Sequence, residues 1–276
     1  MKTERVRPRK SWGQHFLTDP NTQRKILDAA QIVPGESVVE IGPGRGILTH
    51  GLLARGAQVT AIEIDPILAA AFDPPPPGLQ VIRADAMRYP FETIEGRYKV
   101  IGNLPYNIST PLLFRLLGLR ASIPLMVLML QKEVAARLLA TSGGDYGALS
   151  VLVQCWVDVE KVCAVSPGCF RPRPNVDSTV IRIVPQATSR IGETDPSHFS
   201  RVVKAAFAHR RKRLSNSLID AGFKKEDVAA ATTLLDLDPT RRAEVLSLLE
   251  FAQLADALPT EVDPVFTEQV EIHPPS

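Results

Sequence analysis

Val38-Val39-Glu40-Ile41-Gly42-Pro43-Gly44-Arg45-Gly46 decides the fold. Val38, Val39 and Ile41 are β-branched and read as a strand. Glycines at alternate positions then let the backbone turn sharply and pass close to a ligand, and a helical stretch follows at 47–55. The dinucleotide-binding fingerprint GxGxxG places its third glycine one residue later, so this GxGxG loop departs from it. Further buried strands are expected at 58–64, 79–84, 99–101 and 125–130. Helical stretches fall between several of them, for example 111–117 behind a Thr110 cap with Pro111 in the first turn. That alternation predicts a parallel sheet flanked by helices.

After Gly147 the pattern changes. Stretches 150–157, 161–165 and 178–184 read as late strands, including an antiparallel edge. From about residue 189 the chain reads as helical. Phe199, Val202, Val203, Ala206 and Phe207 share one face at i, i+3, i+4, i+7 and i+8. Asp195-Pro196 and Asp238-Pro239 read as helix starts, and 245–258 continues the pattern. The expected organisation is a basic segment at 1–17, an α/β domain at 18–188, a small α-helical domain at 189–260 and a tail at 261–276. The tract Pro74-Pro75-Pro76-Pro77 reads as a stiff surface loop.

The chain has 276 residues, 45% of them hydrophobic, which suffices for one sizeable core plus a small second domain. This ordinary composition excludes disordered, collagen-like and disulfide-scaffold classes. The longest apolar run, 123–130, is broken by Pro124 and is too short to span a membrane. The basic start at 1–10 is followed by no apolar segment of the kind a secretory signal needs. Cys155, Cys163 and Cys169 form no CxxC pair, so they are expected as reduced thiols of a cytoplasmic protein, with no metal site. A net charge of +2 hides an uneven distribution. Residues 1–10 carry five cations, 201–213 carry six with no acid, and 243–276 carry seven acids and no Lys or Arg. Clustered cations of this kind form a footprint for phosphate.

Two carboxylates extend the glycine loop into a candidate site. Glu63 ends the second strand, roughly 20 residues past the loop, where a carboxylate can accept hydrogen bonds from both ribose hydroxyls. Asp85 ends the third strand and can accept from an adenine amino group. Ligands sit at such carboxyl ends in open α/β sheets. The whole loop, ExGxGxG, resembles the S-adenosylmethionine loop of class I methyltransferases.

After the fourth strand comes Gly102-Asn103-Leu104-Pro105-Tyr106-Asn107. This segment resembles the catalytic motif of methyltransferases that modify exocyclic amino groups of bases, in the NLPY form of the ribosomal RNA adenine N6-methyltransferases. The residue types suit the chemistry. The N6 lone pair of adenine is delocalised and weakly nucleophilic, and the Asn103 side-chain oxygen and Leu104 carbonyl can accept its two hydrogens. Pro105 fixes the turn and has no N–H to compete, and Tyr106 can stack on an extruded base.

Three more segments narrow the resemblance. Lys10-Ser11-Trp12-Gly13-Gln14-His15-Phe16-Leu17 resembles a segment that folds over the cofactor in the small-subunit ribosomal RNA adenine dimethyltransferases, with His15 where many members have Asn. Phe170-Arg171-Pro172-Arg173-Pro174-Asn175-Val176-Asp177-Ser178 resembles that family's FxPxPxVDS loop. His209 to Leu218 resembles its RRKxLxNxL helix. The chain from about 10 to 258 thus resembles that family, in its bacterial KsgA-type form.

The resemblance implies a Rossmann-like, seven-stranded class I methyltransferase sheet with a small C-terminal helical domain. It implies S-adenosylmethionine held by Gln14, His15, Leu17, Gly42, Gly44, Glu63, Ile64, Asp85, Ala86 and Asn103. Catalysis would fall to Asn103, Leu104, Pro105 and Tyr106, with Phe170 facing Tyr106 across the target base. Arg210, Arg211, Lys212 and Arg213 would contact RNA backbone from a cationic helix start. The implied reaction places two methyl groups on each of two adjacent adenosines in the 3′-terminal hairpin of 16S rRNA, in the assembling small subunit. A monomer is expected, with neither membrane nor metal. The competing readings are a 23S rRNA adenine methyltransferase of the macrolide-resistance type, a non-catalytic RNA-binding assembly factor and a DNA adenine methyltransferase. The 170–178 and 209–218 segments disfavour the first, and the intact Gly42, Gly44, Glu63, Asp85 and Asn103 set disfavours the second. The third usually carries D/N-P-P-Y and a larger sequence-reading domain.

Overall fold

The computed structural model describes residues 14–260, so the basic stretch at 1–10, the start of the cofactor-covering segment and the tail at 261–276 lie outside it. The elements in chain order are β1 (Phe16–Leu17), α1 (Pro20–Ala30), β2 (Ser37–Ile41), α2 (Ile47–Ala54), β3 (Gln58–Glu63), α3 (Pro66–Ala70), β4 (Leu79–Arg83) and β5 (Lys99–Asn103). There follow α4 (Ser109–Gly118), β6 (Met126–Gln131), α5 (Lys132–Leu139), α6 (Ala148–Gln154), β7 (Val157–Val165), β8 (Phe170–Arg171) and β9 (Ser178–Pro185). The last are α7 (Pro196–Phe207), α8 (Leu214–Asp220), α9 (Lys225–Leu234) and α10 (Leu248–Ala257).

The described chain forms two compact units, one of residues 14–135 and 158–185, the other of 136–157 and 186–260. The helical unit therefore takes in residues 136–157, ahead of the start at 189 expected from sequence.

The first unit is built on a seven-stranded sheet in the order β4-β3-β2-β5-β6-β9-β7. Strands β2 to β6 pair in parallel, and β9 runs antiparallel to β6. The chain steps outward from β2 through β3 to β4, then returns to the other side of β2 with β5. Strand order thus reverses between β2 and β5, and the carboxyl ends of those strands open a crevice. Gly102 in β5 lies opposite Ile41 in β2. A Cβ on Gly102 would stand 2.8 Å from the Ile41 carbonyl oxygen, so only glycine allows this approach. On one face Ile26 and Leu27 of α1 and Leu48 and Leu52 of α2 pack with Val38, Val59, Ile101 and Val127 of the sheet. Burying side chains of this kind stabilises by about 1.5–3 kcal/mol each before entropy is counted.

The second unit has its own apolar core. Val202, Val203 and Ala206 of α7 pack with Leu214 and Leu218 of α8, Val228 and Ala231 of α9 and Phe251 and Leu254 of α10. Asp195 caps α7 by accepting from the His198 N–H at 2.6 Å, with Pro196 in the first turn.

Four local expectations are corrected. Residues 150–157 are not a strand, since 148–154 form α6. Its run Val151-Leu152-Val153 suits either period, and the burial of Val151 and Cys155 with Phe199 and Val202 selects the helix. Thr110 does not cap α4, which begins one residue earlier, where the Ser109 hydroxyl donates to the Tyr106 carbonyl at 3.2 Å. Asp238-Pro239 opens a turn. Asp238 accepts from Thr240 at 2.8 Å, Arg241 reaches Glu250 at 2.6 Å, and residues 243–245 make a single 3₁₀ turn, with Ala243 and Leu246 buried in the core. Finally, Arg210 to Arg213 do not lie on a helix. They form the exposed turn between α7 and α8, with Arg213 as the N-cap of α8.

Candidate active site

A cavity of about 970 Å³, counted out to its open mouth, lies in the first unit at the carboxyl ends of β2, β3, β4 and β5. The expected cofactor residues Gln14, His15, Leu17, Gly42, Gly44, Glu63, Ile64, Asp85, Ala86 and Asn103 all line it, as do Leu104, Pro105 and Tyr106. Phe170 does not. Glu40, Phe16 and Arg45 also line it, and sequence reading gave them no role.

The floor is the glycine loop. Gly44 adopts φ +56° and Gly46 φ +82°, in the left-handed region. A Cβ on Gly44 would stand 3.0 Å from the Phe16 ring, and the Arg45 guanidinium sits 4.7 Å from that ring's centroid. The loop is tied to β3 because Glu63 accepts from the Gly44 N–H at 3.1 Å through Oε2 and from the Asp65 N–H at 2.9 Å through Oε1. Burial pushes the Glu63 carboxyl up, those N–H groups pull it back, and the neighbouring Asp65 charge pushes it up again. A carboxylate has further lone pairs, so Glu63 keeps acceptor capacity toward the cavity. Asp85, half-buried, accepts from the Met87 N–H at 2.8 Å. Ile64 is 41% exposed at the mouth and offers an apolar face.

Glu40 is the residue whose signal was missed. It is 1% exposed, and its Oε2 has no hydrogen-bond partner among the described residues. Thr49 leans toward the carboxyl and relieves it in part, but the Thr49 hydroxyl is itself unpartnered. Burial dominates, and with the Glu63 charge it pushes the Glu40 carboxyl up to about 7. The available signal was an acidic residue inside an otherwise apolar strand. Against Glu40, Glu63 and Asp85, Arg45 is the one Lys or Arg among the lining residues. The Glu63 and Asp85 carboxylates beside the open glycine loop fit a nucleoside whose ribose hydroxyls and amino group donate, such as S-adenosylmethionine.

The cover and the reaction loop meet at Asn103. Gln14 donates to Asp65 at 2.9 Å, which fastens the segment before β1 to the start of α3. Asn103 Nδ2 donates to the His15 carbonyl at 2.9 Å. That bond fixes the amide, leaving Oδ1 as an acceptor. Tyr106 shares a hydrogen bond of 2.8 Å with Ser178, and burial raises its phenol against that bond.

Phe170 lies behind the cavity wall. Its ring is 0% exposed and packs in the core with Leu17 and Val180. β1 and β8 form a two-stranded antiparallel ribbon in which Leu17 pairs with Phe170 and Phe16 with Arg171. Phe170 thus ties the cover to the 170–178 loop.

In the second unit, Arg210 to Arg213 are exposed. Lys212 pairs with Asp220 at 2.6 Å, and the Arg210 guanidinium donates to the Gly144 carbonyl. Among the described residues, no group of three or more His, Cys, Asp or Glu is placed to hold a metal ion, and no helix is long and apolar enough to cross a membrane.

A sheet whose order reverses beside a glycine loop, with acids ending the next two strands, defines a class I S-adenosylmethionine-dependent methyltransferase. The Asn-Leu-Pro-Tyr loop on β5 narrows the class to enzymes acting on amino groups of bases. The chain belongs to the ribosomal RNA adenine dimethylase family, whose model matches residues 5–259. It is 44% identical over 266 residues to the ribosomal RNA small subunit methyltransferase A of Moorella thermoacetica, covering 91% of this chain and 92% of that one. Among solved structures it is similar to a dimethyladenosine transferase from Plasmodium falciparum, with a TM-score of 0.74 and 28% identity, covering 87% of this chain and 96% of that one. The 23S rRNA methyltransferase ErmE superposes with a TM-score of 0.69 at 27% identity, covering 88% and 99%.

Proposed function

We propose that this protein transfers methyl groups from S-adenosylmethionine to the N6 atoms of two adjacent adenosines in the 3′-terminal hairpin of 16S rRNA, two to each, during small-subunit assembly in the cytoplasm. The observation that carries this reading is Asn103 at the end of β5, its amide fixed by the His15 carbonyl beside Tyr106 and the carboxylate-lined cavity. The 44% identity to a small-subunit enzyme over nearly its whole length favours 16S over 23S rRNA.

S-adenosylmethionine, when bound, supplies an electrophilic methyl group on a sulfonium. Gly42 and Gly44 let it approach the backbone, Glu63 accepts from its ribose hydroxyls, and Asp85 accepts from its adenine amino group beside Ile64 and Ala86. Gln14, Leu17 and the main chain of His15 cover it and exclude water. Asn103 Oδ1 and the Leu104 carbonyl accept the two N6 hydrogens of the target base. That draws the amino group toward a pyramid and aims its lone pair at the methyl group. Pro105 holds the turn, and Tyr106 stacks on the base. The methylated nitrogen becomes acidic as it forms, so no strong base is needed and positioning supplies most of the rate. Arg210, Arg211, Lys212 and Arg213 bind RNA phosphates, and the protein acts as a monomer.

The test is transfer of labelled methyl to unmethylated small subunits, naked 16S rRNA and 23S rRNA, with the modified base identified by mass spectrometry. N6,N6-dimethyladenine confined to the small-subunit substrates is expected. Label on 23S rRNA alone, or cofactor binding without transfer to any substrate, refutes the reading.

A further inference from the structure

The end of α10 is clasped to α7. His198 Nε2 lies 2.9 Å from the Ala255 carbonyl and 3.1 Å from the Leu258 carbonyl, and both can only accept, so Nε2 carries a proton and donates it. Nδ1 then accepts from the Arg201 guanidinium at 2.7 Å, and Arg201 also donates to the Thr260 carbonyl. The chain beyond Thr260 thus starts beside Arg201.

The same helix runs into the cationic turn. From Arg201 to Phe207 it rises about 9 Å at 1.5 Å per residue, and the exposed residues 208–213 follow at once. Asp220 lies 2.6 Å from Lys212 and 3.8 Å from His209, and Asp238 is within electrostatic reach of Arg213. Arg210 donates to the neutral Gly144 carbonyl, and neither Arg210 nor Arg211 pairs with an acid among the described residues. The turn keeps a positive excess.

Residues 261–276 have the opposite character, with Glu261, Asp263, Glu268 and Glu271 and no Lys or Arg. A fully extended chain spans about 3.3–3.6 Å per residue, so Glu268 can lie up to about 28 Å from Thr260 and Glu271 up to about 38 Å. Both can reach a turn that opens about 9 Å along α7 from the point where this segment starts.

We propose that the acidic segment 261–276 docks on the cationic turn 208–213 of its own chain when RNA is absent, and that rRNA phosphates displace it. The inference rests on the reading above that this turn binds RNA phosphates. Carboxylates and phosphates compete for the same guanidinium and ammonium donors. Exposed ion pairs are individually weak, but a tethered segment acts at an effective concentration of order millimolar. An RNA that makes many phosphate contacts clears the turn, and a ligand that makes one or two does not.

The experiment compares the full chain with a chain ending at Thr260 and with a full-length variant neutralised by Glu261→Gln, Asp263→Asn, Glu268→Gln and Glu271→Gln. The neutralised variant keeps every residue, so it decides the matter if the shortened chain fails to fold. Each is also made with Arg210→Ala and Arg211→Ala together. Two quantities are measured: affinity for a hairpin RNA across a salt series, and carbodiimide cross-links from Lys204 or Lys212, mapped by mass spectrometry. At low salt, neutralising the segment is expected to raise RNA affinity about 3- to 10-fold, the worth of two or so exposed ion pairs. The gain should fade as salt screens them. Without the two arginines the same neutralisation should change affinity by less than ~2-fold, because the pairs it removes are already gone. Cross-links to Glu268 or Glu271 should form in the free full chain and vanish when RNA is added. No gain on neutralisation overturns the proposal. So does an equal gain without the two arginines, which would mean general repulsion, and so does the lack of any cross-link to 261–276. A cross-linked chain that fails to bind the hairpin in every form instead refutes the RNA reading on which the proposal rests.

Discussion

Replacing Glu40 by Gln should stabilise the protein at alkaline pH and leave it nearly unchanged at acid pH. The carboxyl is buried, its Oε2 is unpartnered, and its pKa is pushed from 4.5 to about 7, first by burial and then by the Glu63 charge, with partial relief from Thr49. Below pH 4.5 Glu40 is neutral in both folded and unfolded chains. Between 4.5 and 7 the unfolded chain ionises while the folded one keeps its proton, so stability falls as pH rises. Above 7 the folded carboxyl is ionised too, and the whole contribution has been lost. At about 1.4 kcal/mol per pH unit, the interval from 4.5 to 7 amounts to ~3 kcal/mol. Gln has the same shape and cannot ionise, so it escapes this penalty. Urea denaturation of both proteins from pH 4.5 to 8.5 reads the difference directly. The variant's advantage should be near zero at pH 4.5 and approach about 3 kcal/mol at pH 8, with equal m-values. An advantage that does not change with pH, or a wild type that gains on the variant as pH rises, refutes the assignment of a proton to Glu40.

Asn103→Ala should abolish methyl transfer while cofactor affinity stays within a few-fold, as calorimetry beside a labelled-methyl assay can establish; wild-type turnover removes Asn103 from the chemistry. Glu63→Ala should weaken S-adenosylmethionine binding by roughly 1–3 kcal/mol, because it deletes ribose acceptors and the anchor of the Gly44 N–H together. An unchanged isotherm would exclude it from the site. Neutralising Arg210, Arg211 and Lys212 should flatten the salt dependence of RNA binding by about 0.7–0.9 in log–log slope for each phosphate ion pair removed. Lys212 should contribute least, since Asp220 already holds it at 2.6 Å; a slope that stays put makes the turn a solvated surface.

The sheet strands and the cavity were legible in the sequence because both depend on local rules. Apolar runs of strand length, broken by glycine or acid, mark where parallel strands end, and those ends are where ligands bind. Where the reading failed, a long-range contact decided the outcome. Asp-Pro opens a helix at Asp195 and only a turn at Asp238. The residues after Asp195 present one long apolar helical face to the core of the second unit, whereas those after Asp238 place Ala243 and Leu246 in that core from a single 3₁₀ turn. Residues 150–157 could serve a strand or a helix until Phe199 and Val202 gave α6 something to pack on. For Phe170, strand register adds what the motif leaves open. Its sequence neighbours form a loop motif, but its backbone pairs with Leu17, more than 150 positions away, and that pairing turns the ring inward. A motif specifies which residues come together. Whether a given side chain faces the ligand or the core is set by strand register, which for β8 depends on a segment at the other end of the first unit's sequence. His15, read from its neighbours as part of a cofactor cover, lies beside Tyr106 with its Nδ1 at the Pro172 carbonyl, because the β1–β8 register brings the residue before β1 level with Pro172.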